Sequence, residues 1–155
     1  MSENFDQKIK MALAAIEIKK KEELELQNQK NDAFAKLNAE LMDTIKNLIC
    51  PILDSAKKAI NSNQIGILKY NIDSPSIASR PKVSFGMENQ RYKNPRISAT
   101  ITYDSEWYIN ISPYKKNMVA SKDKIGDPLD ENLTKILSSL IDDLVKISQG
   151  YGSSL

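Results

Sequence analysis

Arg96-Ile-Ser-Ala-Thr-Ile-Thr-Tyr-Asp-Ser-Glu-Trp-Tyr-Ile-Asn-Ile-Ser112 is the stretch from which the fold can be worked out. Ile97, Ala99, Ile101 and Tyr103 alternate with Ser98, Thr100 and Thr102; Trp107, Ile109 and Ile111 alternate with Tyr108, Asn110 and Ser112. This period-two pattern predicts two half-buried strands joined by a short turn. A two-residue turn at Asp104-Ser105 would pair Ile101 with Tyr108 and scatter apolar groups over both faces. A three-residue loop, Asp104-Ser105-Glu106, pairs Tyr103 with Trp107, Ile101 with Ile109 and Ala99 with Ile111. A slip of one residue inverts every side chain, so a single core face selects the longer loop.

Residues 65–72 and 82–87 also read as strands, which makes four with 96–103 and 107–112. Val83, Phe85 and Met87 extend the apolar face, and Lys82, Ser84, Ser98, Thr100, Thr102, Tyr108 and Asn110 take the other. After a connector at 113–126, residues 127–149 read as a helix. Its apolar stripe is Leu129, Leu133, Ile136, Leu137, Leu140, Ile141, Leu144 and Ile147. Asp127 is the expected N-cap, Pro128 the first helical residue and Gly150 the terminator. The helix should cover the apolar sheet face and bury Trp107 beneath it.

Residues 1–62 differ in kind. They contain no Gly and only Pro51, and are rich in Lys, Glu, Ala, Leu and Gln, the best helix formers. Ile9, Leu13 and Ile16, then Phe34, Leu37, Leu41, Ile45, Leu48 and Ile52, recur three and four apart. Pro51 lacks an amide donor and crowds the preceding turn, so the helix should kink or end near Cys50 and then restart. Some 45 residues at 1.5 Å rise span about 70 Å, far beyond the small body that residues 63–155 would form. The stripe of such a helix needs a second helix to leave water. A hairpin folded at Asn28-Gln29-Lys30-Asn31 is the alternative; no Gly or Pro marks a turn there, which favours one long coiled-coil-like helix. Its seam is poor in the middle, where the heptad falls on Lys20, Glu23, Gln27 and Lys30. Lys19-Lys-Lys21 followed by Glu22-Glu23 reads as a solvated face with local ion pairs.

The expected protein is therefore α+β. A helical segment at 1–62 precedes a small domain at 63–155, in which a four-stranded, mainly antiparallel sheet (64–112) is covered on one face by the C-terminal helix. The 155 residues, 41% apolar and 27% charged, suit a folded chain.

Composition removes much chemistry. With no His, imidazole bases, His-containing triads and His-ligated metals are out. A lone Cys50 excludes an internal disulfide and every multi-Cys metal motif, and its place in an apolar helical run suits a buried residue better than a nucleophile. No carboxylate pair has the spacing of a metal site, and no Gly-rich loop follows a strand. No catalytic residue, cofactor or metal is assigned. A metal-dependent hydrolase working without His ranks third among the functional readings. With one thiol, no signal peptide and no membrane span, a cytoplasmic chain without a membrane partner is expected, signal-independent export being the alternative.

The overall formal charge of +2 conceals an uneven distribution. Residues 1–62 balance at zero, residues 63–126 carry ten cations against five anions, and residues 127–155 carry two against five. Arg91, Tyr92, Lys93 and Arg96 cluster in the loop at 89–96, and Lys115 and Lys116 follow the fourth strand. Cations with interleaved tyrosines, among them Tyr108 on the polar sheet face, can neutralise phosphates and stack on unpaired bases. Solvated hairpin loops share that composition. The leading expectation is a non-enzymatic interaction or adaptor protein. It would associate through Phe34, Leu37, Leu41, Ile45 and Leu48, with itself or another protein, and present the basic sheet and loop to a macromolecule. Nucleic-acid binding through the 89–96 loop is the second.

Overall fold

The computed structural model describes residues 2–76, 79–89 and 96–148. Helix α1 spans Ser2–Thr44, a π-helical turn spans Ile45–Ile49 and helix α2 spans Cys50–Ser62. Strands β1 (Gly66–Asp73), β2 (Lys82–Asn89), β3 (Ile97–Asp104), β4 (Glu106–Ile111) and β5 (Ser121–Lys124) follow, and then helix α3 (Leu129–Ser148). The chain is α+β with a long N-terminal helix, an antiparallel sheet and a C-terminal helix. It divides into two compact units, Met1–Leu37 and Asn38–Leu155.

The described residues of the first unit all lie in α1. The helix runs unbroken through Asn28 to Asn31, so the hairpin alternative is not adopted. Gln27 Nε2 donates to Asn31 Oδ1 at 3.2 Å, one turn on, where the hairpin would have bent.

In the second unit the sheet is a meander in chain order, β1 to β5, with every neighbouring pair antiparallel. The register of β3 and β4 is the one chosen by the core face: Tyr103 opposite Trp107, Ile101 opposite Ile109 and Ala99 opposite Ile111. The turn is tighter than three residues, because Asp104 pairs with Glu106 and Ser105 alone bridges them at φ +59°. On the other side, Leu68, Tyr70 and Ile72 of β1 face Met87, Phe85 and Val83 of β2. At the start of β1, a Cβ on Gly66 would stand 2.1 Å from the Glu88 carbonyl oxygen, so only glycine fits this close backbone approach.

The sheet has five strands where the sequence suggests four. Strand β5 lies inside the stretch read as the 113–126 connector. Its residues, Ser121-Lys-Asp-Lys124, are all exposed at the sheet edge, so no apolar alternation announces it.

Pro51 neither ends the helix nor prevents it from continuing. The Cys50 amide donates to the Ile45 carbonyl, five residues back, and Pro51 follows in the first turn of α2. The wider turn also serves packing. An α-helix advances about 100° per residue, so side chains spaced by four drift about 40° at each step. Ile45, Ile49 and Leu53 are spaced by four and all three are fully buried; the π-turn reduces the drift over the first of these steps.

The core lies on one sheet face. Sequence reasoning assigned its cover to the C-terminal helix alone, but α2 packs on β1, α3 on β2, and the two helices touch each other. Leu53 and Ile60 meet Leu68, Met87, Ile97, Ile101, Ile109, Leu133, Leu144 and Ile147 in one cluster. Each such side chain contributes about 1.5–3 kcal/mol relative to exposure. Trp107 is half-buried at the edge of this cluster instead of beneath α3, since it stands one pair from the β3–β4 turn; it meets Tyr103 edge-to-face at 5.3 Å and 67°. Helix α3 begins at Leu129, which leaves Pro128 before the first turn and Asp127 with no capping hydrogen bond. Asp130 and Glu131 supply the negative charge in its first turn. Gly150, the expected terminator, lies outside the described residues.

Candidate functional site

The sheet face opposite the core is polar, as the alternation predicts. Ser84, Ser98, Thr100, Thr102, Tyr108 and Asn110 form its middle, each half-buried among its neighbours. Ser84 and Thr100 are register partners whose hydroxyls lie 3.5 Å apart.

Charges surround this strip in opposed pairs. Lys82 Nζ lies 3.7 Å from Asp73 Oδ2, Arg96 Nε 3.5 Å from Glu88 Oε1, Lys122 Nζ 3.4 Å from Asp104 Oδ2 and Lys124 Nζ 2.9 Å from Glu106 Oε2. The hydrogen bond to Glu106 also raises the pKa of Lys124. All four pairs are exposed, so water screens them and they contribute little to stability. Their effect is on the field of the surface, since each cancels a charge that a ligand could otherwise use. Arg96 lies across the face over Gly86, where the missing side chain leaves room for the guanidinium. Lys122 also stands 4.5 Å from the centroid of the Tyr108 ring, and Arg80 5.6 Å from that of Tyr103.

The residues read as a partner- or anion-binding set are thus only partly assembled. Arg91, Tyr92 and Lys93 lie outside the described residues. Arg96 and Tyr108 share the open face, each already engaged by a neighbour. Lys115 does not join them: its Nζ is 3.4 Å from Asp143 Oδ2 of α3. Among the described cations of residues 63–126, Lys69, Lys116 and Arg80 alone have no ion pair. The sequence shows a basic block, and folding neutralises most of what is described of it.

Asp143 was missed. It is 8% exposed, accepting a hydrogen bond from the Tyr114 hydroxyl beside the Lys115 ammonium. Burial, and then that hydrogen bond, push the Tyr114 pKa well above the usual phenol range. A signal existed, because position 143 falls within the stripe Leu140, Leu144 and Ile147. On the opposite side, Tyr70 donates to Asp54 Oδ1 at 2.7 Å, which raises its own pKa, and Cys50 is buried with its thiol pKa raised mainly by desolvation.

The association seam needs correction. Leu41 and Ile45 are 5% and 0% exposed within this chain, and Phe34, Leu37 and Leu48 are half-buried. Ile45 and Leu48 belong to the chain's own core. The uncovered large apolar side chains of α1 lie further toward the N-terminus. Phe5, Ile9, Met11, Leu13, Ile16, Ile18, Leu24 and Leu26 are each between 50% and 73% exposed. At about 100° per residue, Phe5, Ile9, Ile16 and Phe34 fall within about 40° of one another, a single stripe along the helix. No ion pair joins the charges of α1 among its described residues, contrary to the local pairing expected for Lys19–Lys21.

Two concavities lie among the described residues. A groove of about 440 Å³ between α2 and α3 is lined by Pro51, Ile52, Ser55, Ala56, Thr134, Leu137, Ser138 and Ile141. A smaller cleft of about 200 Å³ at the β3–β4 turn is lined by Tyr103, Ser105, Glu106, Trp107, Lys124, Gly126 and Asp127. Among the described residues no group of three His, Cys, Asp or Glu could hold a metal ion, and no helix is long and apolar enough to cross a membrane. No protein-family model, curated protein or solved structure matches the chain.

Proposed function

We propose that this chain is a non-enzymatic interaction protein, which associates through the N-terminal part of α1 and presents the polar face of its sheet to a protein partner. One observation carries this reading: eight large apolar side chains between Phe5 and Leu26, all at least 50% exposed on one helix. Isolated helices are marginal in water, and most helical stability comes from packing an apolar face against something else. The four ion pairs of the open face favour a protein over a nucleic acid as the partner. Phosphate binding draws on uncompensated cations, whereas opposed charges around a polar strip suit registration against a second charged surface.

Affinity purification from the native cell tests this reading, with wild type compared to Phe5→Glu combined with Ile9→Glu and Ile16→Glu. The triple variant should lose the partners that wild type retains, and nuclease treatment should leave them in place. Retention by the variant overturns the association reading. Loss on nuclease treatment alone would transfer the function to nucleic-acid binding through the 89–96 loop.

A further inference from the structure

The charges of α1 change sign part-way along it. Residues 8–21 hold Lys8, Lys10, Lys19, Lys20 and Lys21 against Glu17 alone; residues 22–32 hold Glu22, Glu23, Glu25 and Asp32 against Lys30 alone. Within one helix the order is unfavourable, since Lys preceding Glu by a turn is the weaker orientation, and among the described residues none of these charges forms an ion pair. The stripe through Phe5, Ile9, Ile16 and Phe34 is interrupted in this same region, where Lys20, Glu23, Gln27 and Lys30 occupy it. Basic and acidic blocks and a polar mid-seam together select a partner.

Resting on the reading of α1 as the association element, we infer that its partner is α1 of a second copy of this chain, running antiparallel. Parallel pairing in register sets Lys19–Lys21 against themselves and the Glu block against itself. Antiparallel pairing sets one against the other on both sides of the axis, at the middle of the contact. The register that levels Lys20 with Glu22 of the second copy also levels Lys19 with Glu23. It brings Phe5 level with Leu37 and Ile16 with Leu26. The polar middle of the seam then becomes the place where opposite charges meet across the axis, with apolar contacts on either side. Charge complementarity of this kind sets helix orientation as well as partner choice in paired helices.

Cysteine cross-linking reads the orientation directly in the full chain, because native Cys50 is buried. Ala12 and Lys30 lie on the stripe and are level with each other in the antiparallel register. Ala12→Cys mixed with Lys30→Cys should give a disulfide dimer on mild oxidation, and neither variant should do so alone. A dimer from Ala12→Cys alone means parallel helices and overturns the proposal, as does the absence of any cross-link. Light scattering at tens of micromolar should give twice the 17.4 kDa chain mass. Lys19→Glu with Lys20→Glu and Lys21→Glu should weaken self-association at least tenfold. Mixing that variant with Glu22→Lys, Glu23→Lys and Glu25→Lys should restore it. A monomeric wild type overturns the second-copy proposal, and the association reading falls separately, by the purification test above.

Discussion

The Tyr114 hydroxyl donates a hydrogen bond to Oδ2 of Asp143, 29 residues further along the chain. This contact ties the segment after β4 to the buried side of α3 and gives a hydrogen-bond donor to a carboxylate that is 8% exposed. Lys115 supplies the compensating charge at 3.4 Å from the same oxygen. A buried carboxylate is tolerable only with both kinds of partner, hydrogen bond and opposite charge.

Tyr114→Phe should therefore destabilise the protein by about 1–3 kcal/mol in urea unfolding near neutral pH, the cost of leaving a buried acceptor short of a donor. The pH dependence has a definite sign. The folded Tyr114 pKa is raised, so its contribution is complete below the ordinary tyrosine value of about 10 and is lost as pH rises toward the folded value. Wild-type stability should fall in that alkaline window, and Tyr114→Phe should fall less steeply. Equal slopes for the two proteins would show that Tyr114 does not carry this linkage.

The register of β3 and β4 makes opposite predictions for the two sheet faces. Ile101, fully buried against Ile109, should cost about 2–5 kcal/mol when changed to Ala. Asn110 on the open face should cost less than about 0.5 kcal/mol. Denaturant midpoints with unchanged slopes would measure both.

Two glycines on neighbouring strands should respond differently to alanine. At Gly66 the new methyl meets the backbone oxygen of Glu88 at 2.1 Å, and a backbone cannot step aside, so a loss of about 1–3 kcal/mol is expected. At Gly86 it meets the end of the Arg96 side chain, which can swing away from Glu88. Thermal unfolding should show a clear drop for Gly66→Ala and little change for Gly86→Ala.

Asn38 is 6% exposed, and its Oδ1 has no hydrogen-bond partner among the described residues. Asn38→Leu keeps a similar volume and removes the unsatisfied acceptor, so it should stabilise the chain, by about 1–3 kcal/mol. A lower midpoint in the variant would mean that the carboxamide has a partner that supports it.

Whatever depends on the spacing of neighbouring residues is legible in the linear chain. Alternation from Ile97 to Ile111 set the strands, their faces and their register, and the Leu and Ile spacing of 129–147 set the stripe of α3. The absence of Gly and Pro before Pro51 set a continuous α1. Tertiary structure decided what depends on residues brought together from afar. Strand β5 exists because β4 offers it an edge, although Ser121-Lys-Asp-Lys124 has no pattern of its own. Leu41 and Ile45 fit a seam equally well by spacing, and packing in the second unit, together with the π-turn before Pro51, put both inside. The basic block of residues 63–126 became a set of cross-strand pairs because sheet register placed Asp73, Glu88, Asp104 and Glu106 beside lysines and an arginine. Periodicity is local and survives in a linear chain; charge compensation and burial depend on which distant residues share a surface, and only folding specifies that.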